Sequence, residues 1–406
     1  MLALEYYYSI PRYLLSKACS TLFPRRFFPW LVPLKLRDLP FAKPHPDWVV
    51  LRPRLCGICG SDLNLLRGFE SYLLEPYATF PCILGHEVVA EVVEAPAGSG
   101  WAAGERVAVE PLLACRARGL APCRFCAAGN YNLCEHFTEG ELPAGVILGF
   151  TRRAGGGMAE LMAAPAHSLF RLPPELPDEQ AVLIDSLASA LQPVLDHFPP
   201  NNATVVIFGA GIIGQQLLRS LRTLGCGARL VMVARHPFQG SLAEAGGADL
   251  VLLNPDRRAL GEALGGKFLP TTLGGGNLEG GADYFFDCVG SSDSLQAGIL
   301  ALKARGTMVL VGTAGKITGV DVSSLWFREL HLTGSATYAY GRFRGQQVRT
   351  YQMAVDLVAG GEFPVEGLVT HMFPLTRYQQ AFQAALNKLH YKSVKVVVDL
   401  RDQKSN

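Results

Sequence analysis

Two hydrophobic patterns divide the chain. Up to about residue 183, short apolar runs are separated by Gly- and Pro-containing turns, and the stretches 48–55, 83–93 and 106–113 predict strands. From about 184 to 335, short apolar runs alternate with helical periodicity, which predicts a parallel sheet with helices between its strands. After about residue 335 the pattern is mixed. The chain ends in a predicted strand that would return to the domain formed by the N-terminal residues.

The alternating part is regular enough to assign element by element. Its predicted strands are 204–208, 229–234, 250–253, 284–289 and 307–312, and its predicted helices are 184–196, 212–224, 241–245 and 294–302. The last strand of the chain is predicted over 395–400. By contrast, seven prolines within the first 50 residues predict irregular or edge-strand structure there.

Composition adds limits to this outline. A chain of 406 residues with 49% hydrophobic residues and 43 glycines suits two α/β-type domains. The net charge of only +2, without a long basic run, predicts no nucleic-acid partner. The N-terminus lacks the pattern of a secretory signal, so we expect a cytoplasmic protein with no membrane partner. Arg25 and Arg26 lie beside the aromatic stretch 27–30. We interpret this segment as a passage of the chain from the surface into the core, and the alternative is that it contacts a membrane surface.

Four cysteines form a C-x7-C-x2-C-x7-C pattern: Cys115, Cys123, Cys126 and Cys134. Four thiolates can close a tetrahedron around zinc with no open position, which is typical of structural zinc sites. Bunched cysteines in a long chain indicate metal binding in a reducing compartment rather than disulfides. Two accidental pairs of free thiols are the alternative.

A second set of metal-ligand residue types lies upstream. The segment 55–62 contains Cys59, and Gly85 is followed by His86 and Glu87. Cys, His and carboxylate are zinc ligands, and a site with three protein ligands keeps one position for substrate. Neither segment is specific alone, because a single His near a strand is more often an ordinary buried side chain.

The predicted strand 204–208 leads into a G-x-G-x-x-G turn that opens a helix. Its first glycine makes the turn, the second lets the backbone approach a pyrophosphate, and the third lets helix and strand pack closely. The turn residues that we assign to a cofactor are Gly209, Gly211, Ile212, Ile213 and Gly214. The motif alone could also serve FAD or S-adenosylmethionine, and the zinc-ligand signature upstream is what favours a dehydrogenase cofactor.

The second strand of a dinucleotide-binding fold discriminates between NAD and NADP at its carboxyl end. It ends in Ala234, Arg235 and His236, without the acid that would bind a free ribose 2′-hydroxyl. An arginine there suits a 2′-phosphate, so NADP is favoured, and NAD remains possible.

These four signatures occur in one order over about residues 36–400 and together resemble the zinc-containing medium-chain dehydrogenase/reductase superfamily, of the alcohol, sorbitol and threonine dehydrogenase type. The resemblance implies an α/β fold with a GroES-like, mainly β catalytic domain and a doubly wound Rossmann domain. We expect the catalytic domain over 1–195 and 336–406, and the Rossmann domain over 196–335. By the resemblance, Val289, Gly290, Val311 and Gly312 also border the cofactor.

The resemblance also assigns roles around a catalytic zinc. Cys59 and His86 would be ligands, and Glu87 would sit next to the metal. Ser61 would relay the substrate proton, and Asp62 would support the zinc ligands without contacting the metal itself. The third ligand would be Asp185, because Asp185-Ser186-Leu187 stands where the polyol branch has Glu-Pro-Leu. A carboxylate that stabilises a helix N-terminus is the alternative for Asp185.

Two departures from the family pattern accompany these assignments. Asn64 stands where alcohol dehydrogenases often have a histidine, so the outward path of the proton differs. The gap after Cys115 is longer than usual, and Leu120 stands where the family's first cysteine would fall, which makes Cys115 the least certain ligand of its site.

The expected function is therefore a zinc-dependent oxidoreductase that transfers a hydride between an alcohol, polyol or carbonyl substrate and NAD(P). The expected cofactors are catalytic and structural zinc with the nicotinamide dinucleotide, and the resemblance implies a homo-oligomer, either a dimer or a tetramer. One alternative is a reductase of aldehydes or activated double bonds in the same superfamily. Another is a non-catalytic protein that binds zinc or nucleotide on this fold.

Overall fold

A computed structural model describes residues 1–273, 276–313 and 315–401. The chain divides into two compact units. The first contains residues 1–185, 348–361 and 365 onwards, and the second contains residues 186–347 and 362–364. The sequence places the domain boundaries after residues 195 and 335, and residues 402–406 of its last segment lie outside the described residues.

The described residues contain strands in both units. They are β1 (Leu2–Tyr6), β2 (Leu34–Asp38), β3 (Trp48–Gly57), β4 (Cys82–Ile83), β5 (Glu87–Glu94), β6 (Arg106–Val109), β7 (Met162–Pro165), β8 (Leu169–Arg171), β9 (Thr204–Phe208), β10 (Arg229–Ala234), β11 (Leu250–Leu253), β12 (Lys267–Pro270), β13 (Gly276–Glu279), β14 (Ala282–Asp287), β15 (Leu302–Leu310), β16 (His331–Gly334), β17 (Tyr340–Phe343), β18 (Gln346–Arg349), β19 (Val369–Pro374) and β20 (Lys395–Asp399).

The described residues also form α-helices of four to thirteen residues. They are α1 (Ile10–Leu22), α2 (Gly60–Arg67), α3 (Arg124–Ala127), α4 (Asp178–Ala181), α5 (Ile184–Asp196), α6 (Ile212–Thr223), α7 (Pro237–Ala245), α8 (Arg257–Ala263), α9 (Ser292–Ala301), α10 (Ser323–Phe327), α11 (Thr350–Ala359), α12 (Tyr378–Leu386) and α13 (Lys388–Tyr391). Turns of 3₁₀ helix occupy Tyr72–Tyr77, Cys115–Arg118, Tyr131–Leu133, Ala166–Ser168 and Leu375–Arg377.

The first unit is mainly β, as its short apolar runs predict. Its large sheet has the order β19-β20-β3-β5-β6-β8, with β7 also pairing with β3, and a small sheet has the order β2-β1-β4. The C-terminal strand β20 pairs with β3, so the end of the chain rejoins the first part as predicted. The predicted strand 106–113 is shorter than expected, because β6 ends at Val109, two residues before Pro111.

The predicted strand 83–93 is interrupted, and the interruption positions a candidate ligand. β4 ends at Ile83 and β5 begins at Glu87. Between them Gly85 has a φ of +98°, and a Cβ there would lie 2.5 Å from the Cys56 sulfur. Because only glycine fits this bend, the chain turns there and presents His86 just before β5.

The second unit contains a six-stranded parallel sheet of order β11-β10-β9-β14-β15-β16, with helices between its strands. Strands β9, β10 and β11 have the predicted bounds, and α5 spans the predicted 184–196. The order reverses between β9 and β14, which is the topological switch point of a doubly wound sheet.

The expectation of irregular structure throughout the first 50 residues is wrong over 10–22, which form helix α1. Pro11 lies in the first turn of this helix, where a missing N–H breaks no hydrogen bond. The remaining prolines of the segment lie outside the helix. Among the described residues, no helix is long and apolar enough to cross a membrane.

Candidate metal centres and dinucleotide site

The end of β3 and the start of β5 bring three candidate ligands together. Cys59 is the residue that caps α2, His86 follows the bend at Gly85, and Glu87 is the first residue of β5. The ligand atoms of these three residues all lie within 4.8 Å of one another. The local backbone therefore positions a thiol, an imidazole and a carboxylate as the sequence predicts.

Asp62 and Ser61 border this cluster from helix α2. The fully buried Asp62 accepts a hydrogen bond from the backbone N–H of Cys59 at 2.8 Å, and its other oxygen lies 3.8 Å from His86 Nδ1. Ser61 Oγ lies 3.5 Å from Nε2, the other nitrogen of the same ring. Asp62 and Ser61 thus flank the imidazole on opposite sides.

The electrostatics of the cluster favour a cation. Burial disfavours a charged imidazole, yet the nearby Asp62 and Cys59 outweigh it and raise the pKa of His86 to about 10. Burial raises the pKa of Asp62, although His86 and the Cys59 N–H oppose that shift. Concentrated negative charge around a mixed sulfur, nitrogen and oxygen donor set fits Zn²⁺.

Lys395 on β20 is a member of this site that sequence analysis missed. Its ammonium group pairs with the Glu87 carboxylate, and both side chains are almost completely buried. The pKa of Lys395 is raised because the charges of Glu87 and Cys59 outweigh the effect of burial. A lysine between Val394 and Val396 in an apolar strand is a signal that could have identified it.

Asp185 is buried in the first turn of α5 and is outside the group formed by Cys59, His86 and Glu87 among the described residues. Its charge nevertheless contributes to the raised pKa values of Cys56 and Lys395, so it belongs to the same electrostatic environment. This position is compatible both with a ligand and with a carboxylate at a helix N-terminus.

The second cysteine cluster is assembled by the structure, with Cys115 included. The four sulfur atoms of Cys115, Cys123, Cys126 and Cys134 lie within 4.8 Å of one another. Backbone N–H groups donate to three of them, at 3.3 Å for Cys115, 3.5 Å for Cys123 and 3.3 Å for Cys134. All ten cysteines, each within the described residues, lack a disulfide.

The thiolate form is stabilised at one of these cysteines, Cys123, whereas burial raises the pKa values of Cys126 and Cys134. Burial opposes ionisation of Cys123, but backbone N–H groups of Glu135 and Cys126 lower its pKa to about 6. Cys115 Sγ also lies 3.3 Å from His136 Nδ1. Four sulfurs at mutual contact distance with N–H donors around them fit a closed tetrahedral zinc site.

A buried arginine holds together residues 113–145, which contain the four cysteines and which we call the cysteine lobe. Arg118 is fully buried, and its guanidinium donates to the backbone carbonyls of Leu113, Glu139, Leu142, Pro143 and Gly145. The turn after it is made by Gly119, which has a φ of +69°. These contacts fix the backbone just after Cys115, within the long gap that separates it from Cys123.

A second buried ion pair joins the same lobe to the large sheet. Glu110, which follows β6, is 3% exposed and pairs with Arg349. Tyr131 of the cysteine lobe also donates to Glu110, and the Arg349 guanidinium packs 4.6 Å from the centroid of Phe170. Arg349 precedes α11, so three distant segments meet at one carboxylate.

In the second unit, the G-x-G-x-x-G segment forms the turn between β9 and α6. Gly209 has a φ of +108°, and a Cβ on Gly214 would lie 1.9 Å from the Gly209 carbonyl oxygen. Gly211 caps α6, and Ile212 and Ile213 open that helix. The close strand–helix packing requires glycine at 209 and 214, as the motif implies.

The other predicted cofactor residues gather at the same edge of the sheet. They lie at the carboxyl ends of three other strands of the sheet: Ala234, Arg235 and His236 at β10, Val289 and Gly290 after β14, and Val311 and Gly312 after β15. Ligands bind at this edge in doubly wound folds. The structure therefore brings every predicted cofactor residue to one side of one sheet.

Buried Asp287 organises the loop after β14. Its carboxylate accepts hydrogen bonds from the backbone N–H groups of Val289 at 2.9 Å and Gly290 at 3.0 Å, and from the Ser294 hydroxyl at 2.8 Å. Its carbonyl oxygen accepts from the N–H of Gly312 at 2.8 Å. The side chain and the backbone carbonyl of one residue thus fix two of the predicted cofactor loops.

The chain matches two known domain families. Residues 45–174 match the alcohol dehydrogenase GroES-like domain, and residues 212–359 match the zinc-binding dehydrogenase domain. These matches confirm the predicted fold class of a GroES-like domain and a Rossmann domain.

Full-length relatives agree with this. The chain is 28% identical over 349 residues to a probable D-xylulose reductase A of Arthroderma otae, covering 86% of this chain and 89% of the relative. It is 27% identical over 376 residues to sorbitol dehydrogenase of Ovis aries, covering 91% and 95%. A putative zinc-binding dehydrogenase from Sinorhizobium meliloti 1021, solved bound to NADP, is 27% identical with a TM-score of 0.68, covering 90% and 95%.

Proposed function

Because this chain belongs to the zinc-containing medium-chain dehydrogenase/reductase superfamily, and is therefore a zinc- and nicotinamide-dependent oxidoreductase, we propose that its substrates are polyols or their keto forms and that its cofactor is NADP(H). The assembled cluster of Cys59, His86 and Glu87 carries the proposal, because it supplies a catalytic-type donor set. The sorbitol and xylulose relatives favour polyols over simple alcohols.

We assign the predicted roles to the residues of the cluster. Cys59, His86 and Asp185 would hold the catalytic zinc, and Ser61 would accept the substrate proton. Glu87 is already paired with Lys395, which favours Asp185 as the third ligand. The bound zinc and nicotinamide supply, respectively, polarisation of the substrate hydroxyl and hydride transfer.

The protein's own groups prepare this chemistry. Asp62 orients His86 from the side opposite Ser61. The hydrogen bond from the Cys59 N–H to Asp62 fixes the first turn of α2, which carries Ser61. The four cysteines of the second cluster would hold the structural zinc.

The preference for NADP rests on the end of β10. Buried Ala234 leaves no acid there, and exposed Arg235 has no ion-pair partner among residues 1–273, 276–313 and 315–401. A guanidinium in that position is available to a 2′-phosphate. The NADP bound by the Sinorhizobium meliloti neighbour is in line with this choice.

The testing experiment titrates the zinc-loaded protein with NADPH and NADH, then assays polyol oxidation with the tighter cofactor. We expect tighter binding of NADPH and reduction of NADP⁺ with sorbitol or xylitol. Replacing Arg235 by alanine should weaken NADPH binding roughly thirtyfold, since a charge-assisted contact contributes about 2 kcal/mol. NADH binding should hardly change, because NADH has no 2′-phosphate.

Arg305→Ala is the matched control, because Arg305 is an exposed arginine within β15, away from its carboxyl end. Equal loss of NADPH affinity in both variants, or tighter binding of NADH by the wild type, would refute the role of Arg235. Polyol oxidation with NAD⁺ alone would leave the substrate proposal standing. Activity with simple alcohols or aldehydes, and none with polyols, would refute that part.

We also infer that two copies pair along β16, the last strand of the parallel sheet. Its residues are largely exposed, and the adjoining Trp326 and Phe327 are 73% and 70% exposed. An unpaired strand edge beside exposed aromatic side chains is suited to pairing with a second copy. Light scattering should give twice the 43.9 kDa chain mass, and Trp326→Glu should give a monomer. A monomeric wild type at micromolar concentration would contradict the inference.

A further inference from the structure

Helix α1 has its polar side facing the protein and its apolar side facing solvent. Its buried residues are Ser16 and Ser20. Its outward residues include Ile10, Leu14 and Leu15, each more than half exposed. At 100° per residue, the exposed apolar positions of α1 fall within one sector of about 140°. A helix that only covers a core in water has the reverse arrangement.

The exposed apolar residues continue beyond the helix. Leu22, the last residue of α1, is 73% exposed, and Phe23, which follows it, is 54% exposed. Trp30 is 68% exposed. We call the exposed apolar residues of this segment the N-terminal apolar surface: Ile10, Leu14, Leu15, Leu22, Phe23 and Trp30. The 3₁₀ turn that begins at Tyr72 adjoins it, because Lys17 Nζ lies 3.1 Å from the Tyr72 hydroxyl.

Within the segment that forms this surface, every charged side chain is positive. Residues 10–30 contain four basic side chains and no acidic one: Arg12, Lys17, Arg25 and Arg26. Arg12 and Lys17 project from α1 on either side of its apolar sector. Glu70 and Glu75 lie near Tyr13 of α1, where their charges raise its pKa, and burial raises the pKa of Glu70 itself to about 7.

We propose that the N-terminal apolar surface docks on an anionic lipid bilayer, with α1 lying in the plane of the headgroups. An apolar helix face bordered by basic residues, with aromatic residues beside it, is the pattern of interfacial helices. A second copy of the chain fits less well, because it would bring two sets of four basic side chains together. The surface precedes residue 45, where the family matches begin, and the proposal departs from the expectation of no membrane partner.

The basic residues and the apolar residues contribute separately to such docking. Lysines and arginines attract acidic lipids, and each changes membrane partitioning about fivefold at low salt. The apolar side chains enter the boundary between headgroups and acyl chains. Docking should therefore depend on acidic lipid, on ionic strength and on the outward leucines of α1.

The test is flotation of the full-length protein with phosphatidylcholine vesicles, prepared with or without phosphatidylserine. We expect binding to the phosphatidylserine vesicles that weakens with added salt, and little binding to phosphatidylcholine alone. Leu14→Glu should lower the partition coefficient at least tenfold, because it places a charge in the apolar sector. Leu253→Glu is the control, with the same change at a leucine that is half exposed in the other unit.

Three results would overturn the proposal. The first is no binding of the wild type to phosphatidylserine vesicles, and the second is equal binding by wild type and Leu14→Glu. The third is self-association of the wild type that Leu14→Glu abolishes without any vesicle binding, which would assign the surface to a second copy. Zinc content and thermal midpoint verify that the variants fold, as expected for changes at exposed side chains.

Discussion

Replacing Cys59 by serine is expected to lower kcat/KM at least about 10³-fold and to reduce bound zinc from two ions per chain to one. Serine is a poor zinc ligand at neutral pH, and the loss of the metal removes several kcal/mol of transition-state stabilisation, with each ~1.4 kcal/mol corresponding to tenfold in rate. The cysteine lobe does not include Cys59, so its ion should remain. Metal analysis and steady-state kinetics on the same preparation check both parts.

Cys56 provides a matched control within the same C-x2-C sequence. It is fully buried, its thiol lies 3.7 Å from the Gly57 carbonyl, and burial raises its pKa well above the ordinary value. A buried neutral thiol is a poor ligand, so Cys56→Ser should keep both zinc ions. Full activity of Cys59→Ser, or selective zinc loss from Cys56→Ser, would overturn the ligand assignment.

The same measurements separate the two candidate carboxylates. If Asp185 is the third ligand, Asp185→Asn should weaken zinc binding without unfolding the unit. Glu87→Gln removes the partner of buried Lys395, so its main expected effect is on stability. Zinc loss from Glu87→Gln alone, at unchanged thermal midpoint, would assign the third position to Glu87 instead.

The parts of these sites that the sequence predicts are those whose geometry is local. Cys59 caps α2, three residues before Asp62, and the glycines at 209 and 214 lie on one strand–turn–helix segment. Local backbone geometry determines where such side chains point, so spacing alone is informative. The same holds for β9, β10 and β11, whose apolar runs lie between clear turn signals.

The parts that sequence reasoning missed depend on distant segments. Lys395 and Glu87 are 308 positions apart, and Arg349 and Glu110 are 239 apart. No short-range pattern connects such residues, although an isolated charge in an apolar strand indicates that a partner exists. Helix α1 differs from the prediction for another reason. The number of prolines in the segment predicts irregular structure, but Pro11 lies in the first turn, where a helix tolerates proline.

The Glu110–Arg349 pair is expected to show the largest effect on stability. In Arg349→Ala, the Glu110 carboxylate stays buried but loses its cationic partner. The hydrogen bond that it accepts from the Tyr131 hydroxyl remains. Removing one member of a buried ion pair costs about 3–5 kcal/mol. We expect a lower midpoint for the thermal transition of the unit that contains the cysteine lobe, and faster loss of its zinc to a chelator. Arg342→Ala, at an exposed arginine, is the control.

The pH dependence of this defect follows from the charge that is left behind. Burial already raises the pKa of Glu110, although Arg349 opposes that shift, so removal of the arginine should raise it further. A carboxyl group with a raised folded-state pKa binds more protons when folded, and its stability contribution is lost as the pH rises through that pKa. The deficit of Arg349→Ala should therefore be larger at pH ~8 than at pH ~5. Adding Glu110→Gln should recover part of it at the higher pH, because the buried charge is then absent. A deficit that is equal at both pH values, and unchanged by Glu110→Gln, would show that Arg349 acts by packing on Phe170 rather than through its charge.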